Sequence, residues 1–240
     1  MLEATLRENP GLALQEPAQA WLRQLKRIRR AAGPVRDLDV HRKLLEDWIG
    51  KDPANSEEEK LDTWLKQERK RLAHNMQKQS RKKQDGLAAR QADFLAAFSR
   101  KPLKRKSRAA ESVALEAFMR AADSMPWLDA ENLHDFRKAT KKARYIAESG
   151  SAAEVAKALK RIQDAIGEWH DWLCLSQEAK SVLGDDAPDL IQAFDQEVER
   201  HFAAAMKTTQ SIRARLTGEW MGTSGKRPKP TSAGALKRAG

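Results

Sequence analysis

Residues 133–148 read LHDFRKATKKARYIAE, a stretch that holds five Lys or Arg residues and a histidine. Place it on a helical wheel at about 100° per residue with His134 at zero. Arg137, Lys138, Lys141 and Tyr145 then lie within about 60° of it, and Lys142 and Arg144 at about 80°. Phe136, Ala139, Thr140, Ala143, Ile146 and Ala147 gather on the opposite side. The expectation is a helix that buries one face and shows a cationic stripe on the other. Like charges at this spacing repel by a few tenths of a kcal/mol per pair, and ordinary solvated faces mix signs. The stripe reads as free of acid, with Asp135 and Glu148 doing little to offset it. Such a face calls for an external anion.

The rest of the chain agrees with an anionic partner. Its 240 residues carry 45 Lys plus Arg against 34 Asp plus Glu, a net charge of +11. That excess fits nucleic acid, an anionic membrane surface or a phosphate polymer. A single cysteine, Cys174, excludes an intramolecular disulfide framework and fits a reducing compartment. No run of about 18 apolar residues is present and the N-terminus lacks a signal-peptide pattern, so a cytoplasmic protein is expected.

Helix formers dominate and no strand-length alternation occurs, so the fold class is all-α. The breakers at 9–11 and 16–17 end a first short helix. Pro17 suits the first turn of a helix through Ala32, which Gly33-Pro34 interrupts. Further helices are expected from Asp37 to Ile49, from Glu57 to Ser99 (with Ser56 as N-cap and Glu59 completing a capping box), and from beyond Pro102 to Ala122. A loop at 123–132 precedes the cationic helix. Helices Ala153–Val182 and Ala187–Leu216 follow, then a basic tail over 217–240 whose Gly, Pro, Ser and Lys content predicts disorder.

An internal repeat organises these helices. RIRRAAGPVRDLDV (27–40) lies over RIQDAIGEWHDWLC (161–174), matching Arg27 with Arg161, Ile28 with Ile162, Ala31 with Ala165, Gly33 with Gly167 and Asp37 with Asp171. QERKR (67–71) lies over QEVER (196–200) at nearly the same offset. Two matches in one order predict two related helical halves, about 1–122 and about 130–216. On its own helix, His170 falls about 20° from Leu159 and projects inward with the apolar set. Its counterpart is Arg36, so both halves are expected to aim a cationic or protonatable group at the interior. Asp37 and Asp171 are candidate partners or caps.

With these residues in view, LHDFRKATKKARY followed by RIQDAIGEWHD resembles the second half of the CHAD family, the conserved histidine α-helical domain. LRQLKRIRRAAGPVRDLDVHRKLL is similar to the family's first-half segment. The resemblance covers about residues 1–216. It implies two pseudo-symmetric helical bundles enclosing a basic cleft or pore that binds inorganic polyphosphate. By position it implies that His134, Arg137, Lys138, Lys141, Arg144, Tyr145, Arg36 and His170 line the site. The family's first-half His-x-x-Arg helix would fall just before Met1, so the start of the first helix is missing from the pattern.

The chemistry of the residues supports the same ligand class. A polyphosphate offers charge without bases or sugars, so a binder needs many Arg and Lys donors and no stacking platforms. KQERKRLAHNMQKQSRKK (66–83) and RKPLKRKSR (100–108) extend the basic surface. Arg29, Arg71, Lys104, Arg105, Arg108 and Arg200 are accordingly candidate additional contacts. A nucleic-acid-binding helical protein using the same surface is the alternative. The five histidines are scattered without a His-x-x-x-His or Glu-x-x-His pair, and no nucleophile–base pair stands out. The Glu-x-Glu-x-Lys strand of the triphosphate tunnel enzymes is also absent, since Leu61 follows Glu57 and Glu59. The expectation is a non-enzymatic protein without metal or cofactor. It would bind polyphosphate, associate with polyphosphate granules and not enter a membrane.

Overall fold

The Ala-, Leu-, Glu- and Lys-rich stretches fold as helices throughout a computed structural model that describes residues 16–50, 55–81, 86–99 and 110–224. In chain order they are α1 Glu16–Ile49, α2 Ser56–Arg81, α3 Leu87–Ser99, α4 Ala110–Ser124, α5 Leu133–Ser149 and α6 Ala153–Leu183. A 3-10 turn at Gly184–Asp186 leads to α7, Pro188–Ser224. No strand occurs among the described residues, and the fold is all-α. The expected first short helix, the Pro102 break and residues 225–240 of the basic tail lie outside the described residues.

Three boundaries differ from the sequence expectation, each for a physical reason. First, α1 runs unbroken through Gly33-Pro34. An interior proline removes a backbone hydrogen bond and costs about 3 kcal/mol. Val35, Leu38 and Leu45 bury their side chains in the turns that follow. At about 1.5–3 kcal/mol for each, burial outweighs the local break. Second, Asn55 rather than Ser56 caps α2. Its Oδ1 accepts from the Glu57 and Glu58 backbone N–H groups at 3.1 and 2.8 Å, while Glu58 Oε2 accepts the Asn55 N–H at 2.9 Å. This is the expected capping box moved by one residue, because an amide oxygen supplies the same acceptor as a hydroxyl. The helix expected over 57–99 is described as α2 and α3, with residues 82–85 outside the described residues. Third, α7 continues past Leu216 to Ser224, into the segment read as tail. Leu216 is buried and Trp220 packs partly buried on the core, so apolar contacts extend the helix beyond the point where composition changes.

Two apolar cores share the two longest C-terminal helices. Phe118 of α4, Phe136 and Ile146 of α5, Leu159, Ile162 and Ile166 of α6, and Ile212 and Leu216 of α7 form one. Leu38 and Leu45 of α1, Leu61 and Leu65 of α2, Trp172 and Leu175 of α6, and Phe194 of α7 form the other. α6 therefore packs against α1, α2, α4, α5 and α7. Trp172 and Phe194 of the second core meet the exposed Trp48 edge-to-face, with ring centroids 5.6 to 6.0 Å apart.

The ends of α5 are set locally. Asp129 Oδ1 accepts from the backbone N–H groups of Glu131 and Asn132 at 2.9 and 3.0 Å, and Asn132 Oδ1 accepts from the Asp129 N–H at 3.1 Å. These bonds fix the turn that launches Leu133 and His134. At the other end, Gly150 abuts the start of α4. A Cβ there would stand 1.8 Å from Ala110 Cβ, so only glycine allows the approach.

Candidate functional site

α5 buries Leu133, Phe136, Thr140, Ala143, Ile146 and Ala147, which is the apolar face expected of it. The opposite face is not simply solvated. His134, Arg137, Lys141, Arg144 and Tyr145 are half-buried, whereas Lys138 is exposed. Charged side chains held partly out of water need a reason, because burial disfavours the charged form.

The acid-free reading of this stripe is corrected in two places. Lys138 Nζ lies 2.5 Å from Asp135 Oδ1, and Arg144 Nε faces Glu148 Oε1 at 3.4 Å. Glu148 stands only about 40° from His134 on the wheel, on the stripe itself. Lys138 and Arg144 thus carry their own counter-ions at ordinary helical spacing. Arg144 also sits 4.9 Å from the Tyr145 ring centroid.

Arg137 and Lys141 make no close ion pair among the described residues, although the Asp171 carboxyl feels the charge of Arg137. Arg137 Nε donates to the Gln163 carbonyl of α6 at 2.9 Å. Its guanidinium lies across Gly167, where a Cβ would stand 2.8 Å from Nη2. The Lys141 ammonium has its pKa lowered by burial and then by Arg137, Arg144, Arg29 and Arg36. Arg29 and Arg36 belong to α1, so tertiary packing brings cations of two helices around one lysine. Arg29 was a secondary candidate and joins this group.

Arg36 contributes differently from its expected inward pose. Its side chain is 69% exposed and Nη1 donates to Asp37 Oδ1 at 3.3 Å. Val35 and Leu38 take the buried side of α1, and Arg36, about 100° from Val35, is left outside. The paired repeat positions therefore differ in environment. Ile28 is 43% exposed and Ile162 fully buried, and Gly33 has open space where Gly167 carries a guanidinium.

His170 does project inward and is half-buried. Its ring stacks on His134, with centroids 4.3 Å apart and an interplanar angle of 28°. Burial, His170, Lys138 and Arg137 together push the His134 imidazole down to about 4, so it is neutral at pH 7. His134 Nδ1 is buried without a hydrogen-bond partner among the described residues.

Behind this pair stands a group that the sequence did not single out. Cys174 Sγ lies 3.6 Å from His170 Nδ1. The buried His41 of α1 places Nδ1 2.8 Å from Glu178 Oε2. Burial opposes charge on His41, but Cys174 and Glu178 outweigh it and raise the imidazole to about 9. Burial likewise opposes the Cys174 thiolate, yet His170 and His41 bring it down to about 7. The thiol in turn raises His170. Asp171 is half-buried and feels the charges of His41, Arg137, His170 and Arg36, and burial raises its carboxyl from its ordinary value. His170, Cys174 and Glu178 follow one another at a four-residue spacing on α6, the one signal that could have exposed the group in the sequence.

The remaining candidates are not gathered here. Arg71 bonds Glu68 and Arg200 bonds Glu197, through Nε at 2.6 and 3.0 Å. The QERKR and QEVER match thus survives as the same ion pair three residues apart, each arginine answered by its own acid. Lys104, Arg105 and Arg108 lie outside the described residues. Among the described residues, no group of three or more His, Cys, Asp or Glu is arranged to hold a metal ion, and no helix is long and apolar enough to cross a membrane.

The site is thus a half-buried set of cations on α5, joined by arginines of α1 and a stacked histidine of α6. The Arg137 Nη and Lys141 Nζ groups are donors of the kind that suit phosphate oxygens. No curated protein and no solved structure matches the chain. The CHAD domain model matches residues 2–180 of the 240, and the chain belongs to the CHAD domain family.

Proposed function

We propose that this protein binds inorganic polyphosphate, or a polyanion of the same chemistry, without catalysis, through Arg137, Lys141, His134, His170, Arg29 and Arg36. One observation carries the reading. Lys141 is half-buried, feels the charges of four arginines and has no acid partner among the described residues. A bound phosphate chain supplies the missing negative charge. Membership of the CHAD family, which is associated with polyphosphate binding, supports the same ligand. Lys138, Arg144 and Tyr145 rim the site, the first two with acids that a polyanion would have to displace. The lone cysteine and the basic charge fit a cytoplasmic protein that associates with polyphosphate granules.

Titration calorimetry with polyphosphate at several salt concentrations tests this. Neutralising several phosphates releases condensed counter-ions, so affinity is expected to fall steeply from low to moderate salt. A salt-independent affinity, or no binding heat, would overturn the reading. In competition, duplex or single-stranded DNA should displace polyphosphate poorly. Displacement at equal phosphate concentration would favour nucleic acid instead.

A further inference from the structure

We infer that Gly167 is a positioning residue of the anion site, and that its lack of a side chain lets the Arg137 guanidinium lie on α6 with its Nη groups turned to a ligand. The inference rests on the polyanion reading for its binding consequence but not for its geometry. Glycine inside a helix is unfavourable by about 1 kcal/mol relative to alanine. Gly167 stands in the middle of the 31-residue α6 and is itself buried. Something other than helix stability therefore accounts for it.

The neighbours identify what that is. A Cβ on Gly167 would stand 2.8 Å from Arg137 Nη2, 3.3 Å from Cζ and 3.4 Å from Nε. The three nearest atoms all belong to this one guanidinium. Four residues earlier on the same face of α6, the Gln163 carbonyl accepts the Arg137 Nε hydrogen at 2.9 Å. Gln163 O fixes one edge of the planar group, and the bare surface at Gly167 gives its plane a place to rest. The Nη nitrogens have no acceptor among the described residues. His134 and Lys138 flank Arg137 on α5, His170 and Asp171 follow Gly167 on α6, and Arg36 approaches from α1. A methyl group at 167 would lift the guanidinium off this bed, breaking the Nε bond and moving two phosphate donors. The repeat counterpart, Gly33, meets nothing within 4 Å, so the same substitution there has no such effect.

The full chain carrying Gly167→Ala tests the inference, with Gly33→Ala as control. In two-dimensional NMR, the Arg137 Nε–H resonance, assigned by its disappearance in Arg137→Lys, should shift and exchange faster in Gly167→Ala, without any ligand present. Polyphosphate affinity should fall about ten- to a hundredfold, the scale of one charge-assisted hydrogen bond. In the Arg137→Lys background, Gly167→Ala should cost nothing further, because the planar group it displaces is gone. Gly33→Ala should bind as wild type. An unchanged Nε–H signal in Gly167→Ala would overturn the inference, as would an equal loss of affinity in both Arg137 backgrounds. Loss of the fold would overturn it too, since the methyl would then be meeting the packing of α6 rather than one mobile side chain. Should wild type bind no polyphosphate, the polyanion reading fails while the resonance still decides the positioning.

Discussion

Lys141 shows how a single residue separates a binding role from a structural one. Its ammonium is crowded by Arg137, Arg144, Arg29 and Arg36. Replacing it with glutamine relieves like-charge repulsion of a few tenths of a kcal/mol per pair. The same change removes a charge-assisted bond worth about 1.5–3 kcal/mol once a phosphate is bound. Lys141→Gln should therefore melt at the same temperature or higher when empty, and bind polyphosphate at least about tenfold more weakly. Differential scanning calorimetry and a binding titration check the two signs. An empty variant that melts lower would show that the lysine serves the fold. His134 gives a pH test. Its imidazole is held down at about 4 when folded against an ordinary value near 6.5. The unfolded chain thus takes up the proton first, and the stability tied to the neutral ring is lost as pH falls from about 6.5 toward about 4. His201 is also lowered and adds to the loss. His41 and His170 are raised, so their contributions are already complete below about 6.5. The melting temperature of the empty protein should drop between pH 6.5 and 5, and less so in His134→Asn. An anion beside the ring favours the protonated form, so polyphosphate affinity should rise over the same interval.

At the scale of an element, α5 is held in place by its ends as much as by its apolar face. Gly150 lets the C-terminal turn of α5 close on Ala110 at the start of α4. A methyl group there would overlap Ala110 and wedge α4 from α5, an overpacking that costs about 1–3 kcal/mol. Gly150→Ala should lower the urea midpoint by that amount without changing the charge of the site. If stability is unchanged, α4 and α5 are less tightly joined than they stand here. The helices also show what can be read locally. The wheel of 133–148 placed every buried residue of α5 from Phe136 onward on one side, because a period of about 3.6 residues is a local property. The same wheel overlooked Glu148, which lies on the stripe and pairs with Arg144. The break expected at Gly33-Pro34 did not occur, since the energy that carries α1 through Pro34 comes from Val35, Leu38 and Leu45 meeting other helices.

For the whole molecule, α6 is the shared wall, and the His41–Glu178 pair ties the N-terminal α1 to it across 137 residues of chain. His41 is 3% exposed, so truncating it both empties buried space and leaves Glu178 unpaired. His41→Ala should reduce the unfolding free energy by about 1–3 kcal/mol. Combined with Glu178→Gln, the two losses should fall short of additive, by more than about 0.5 kcal/mol. Denaturant melts of the four chains check this, and strict additivity would show that the two side chains do not act as a pair.

The sequence by itself determined the fold class, the faces of α5, the inward pose of His170 and the family, because helix periodicity and motif spacing are written along the chain. Only the tertiary structure decided which cations share a site. The charges of Arg29 and Arg36 act on Lys141 from a helix about a hundred residues away in the chain. His134 meets His170 only when α5 packs on α6. His41, Cys174 and Glu178 formed no motif, and Arg71 and Arg200 proved to be neutralised by Glu68 and Glu197. Contacts of this kind depend on how helices cross, and side-chain burial sets that crossing across long separations in the chain, where one-dimensional periodicity carries no information.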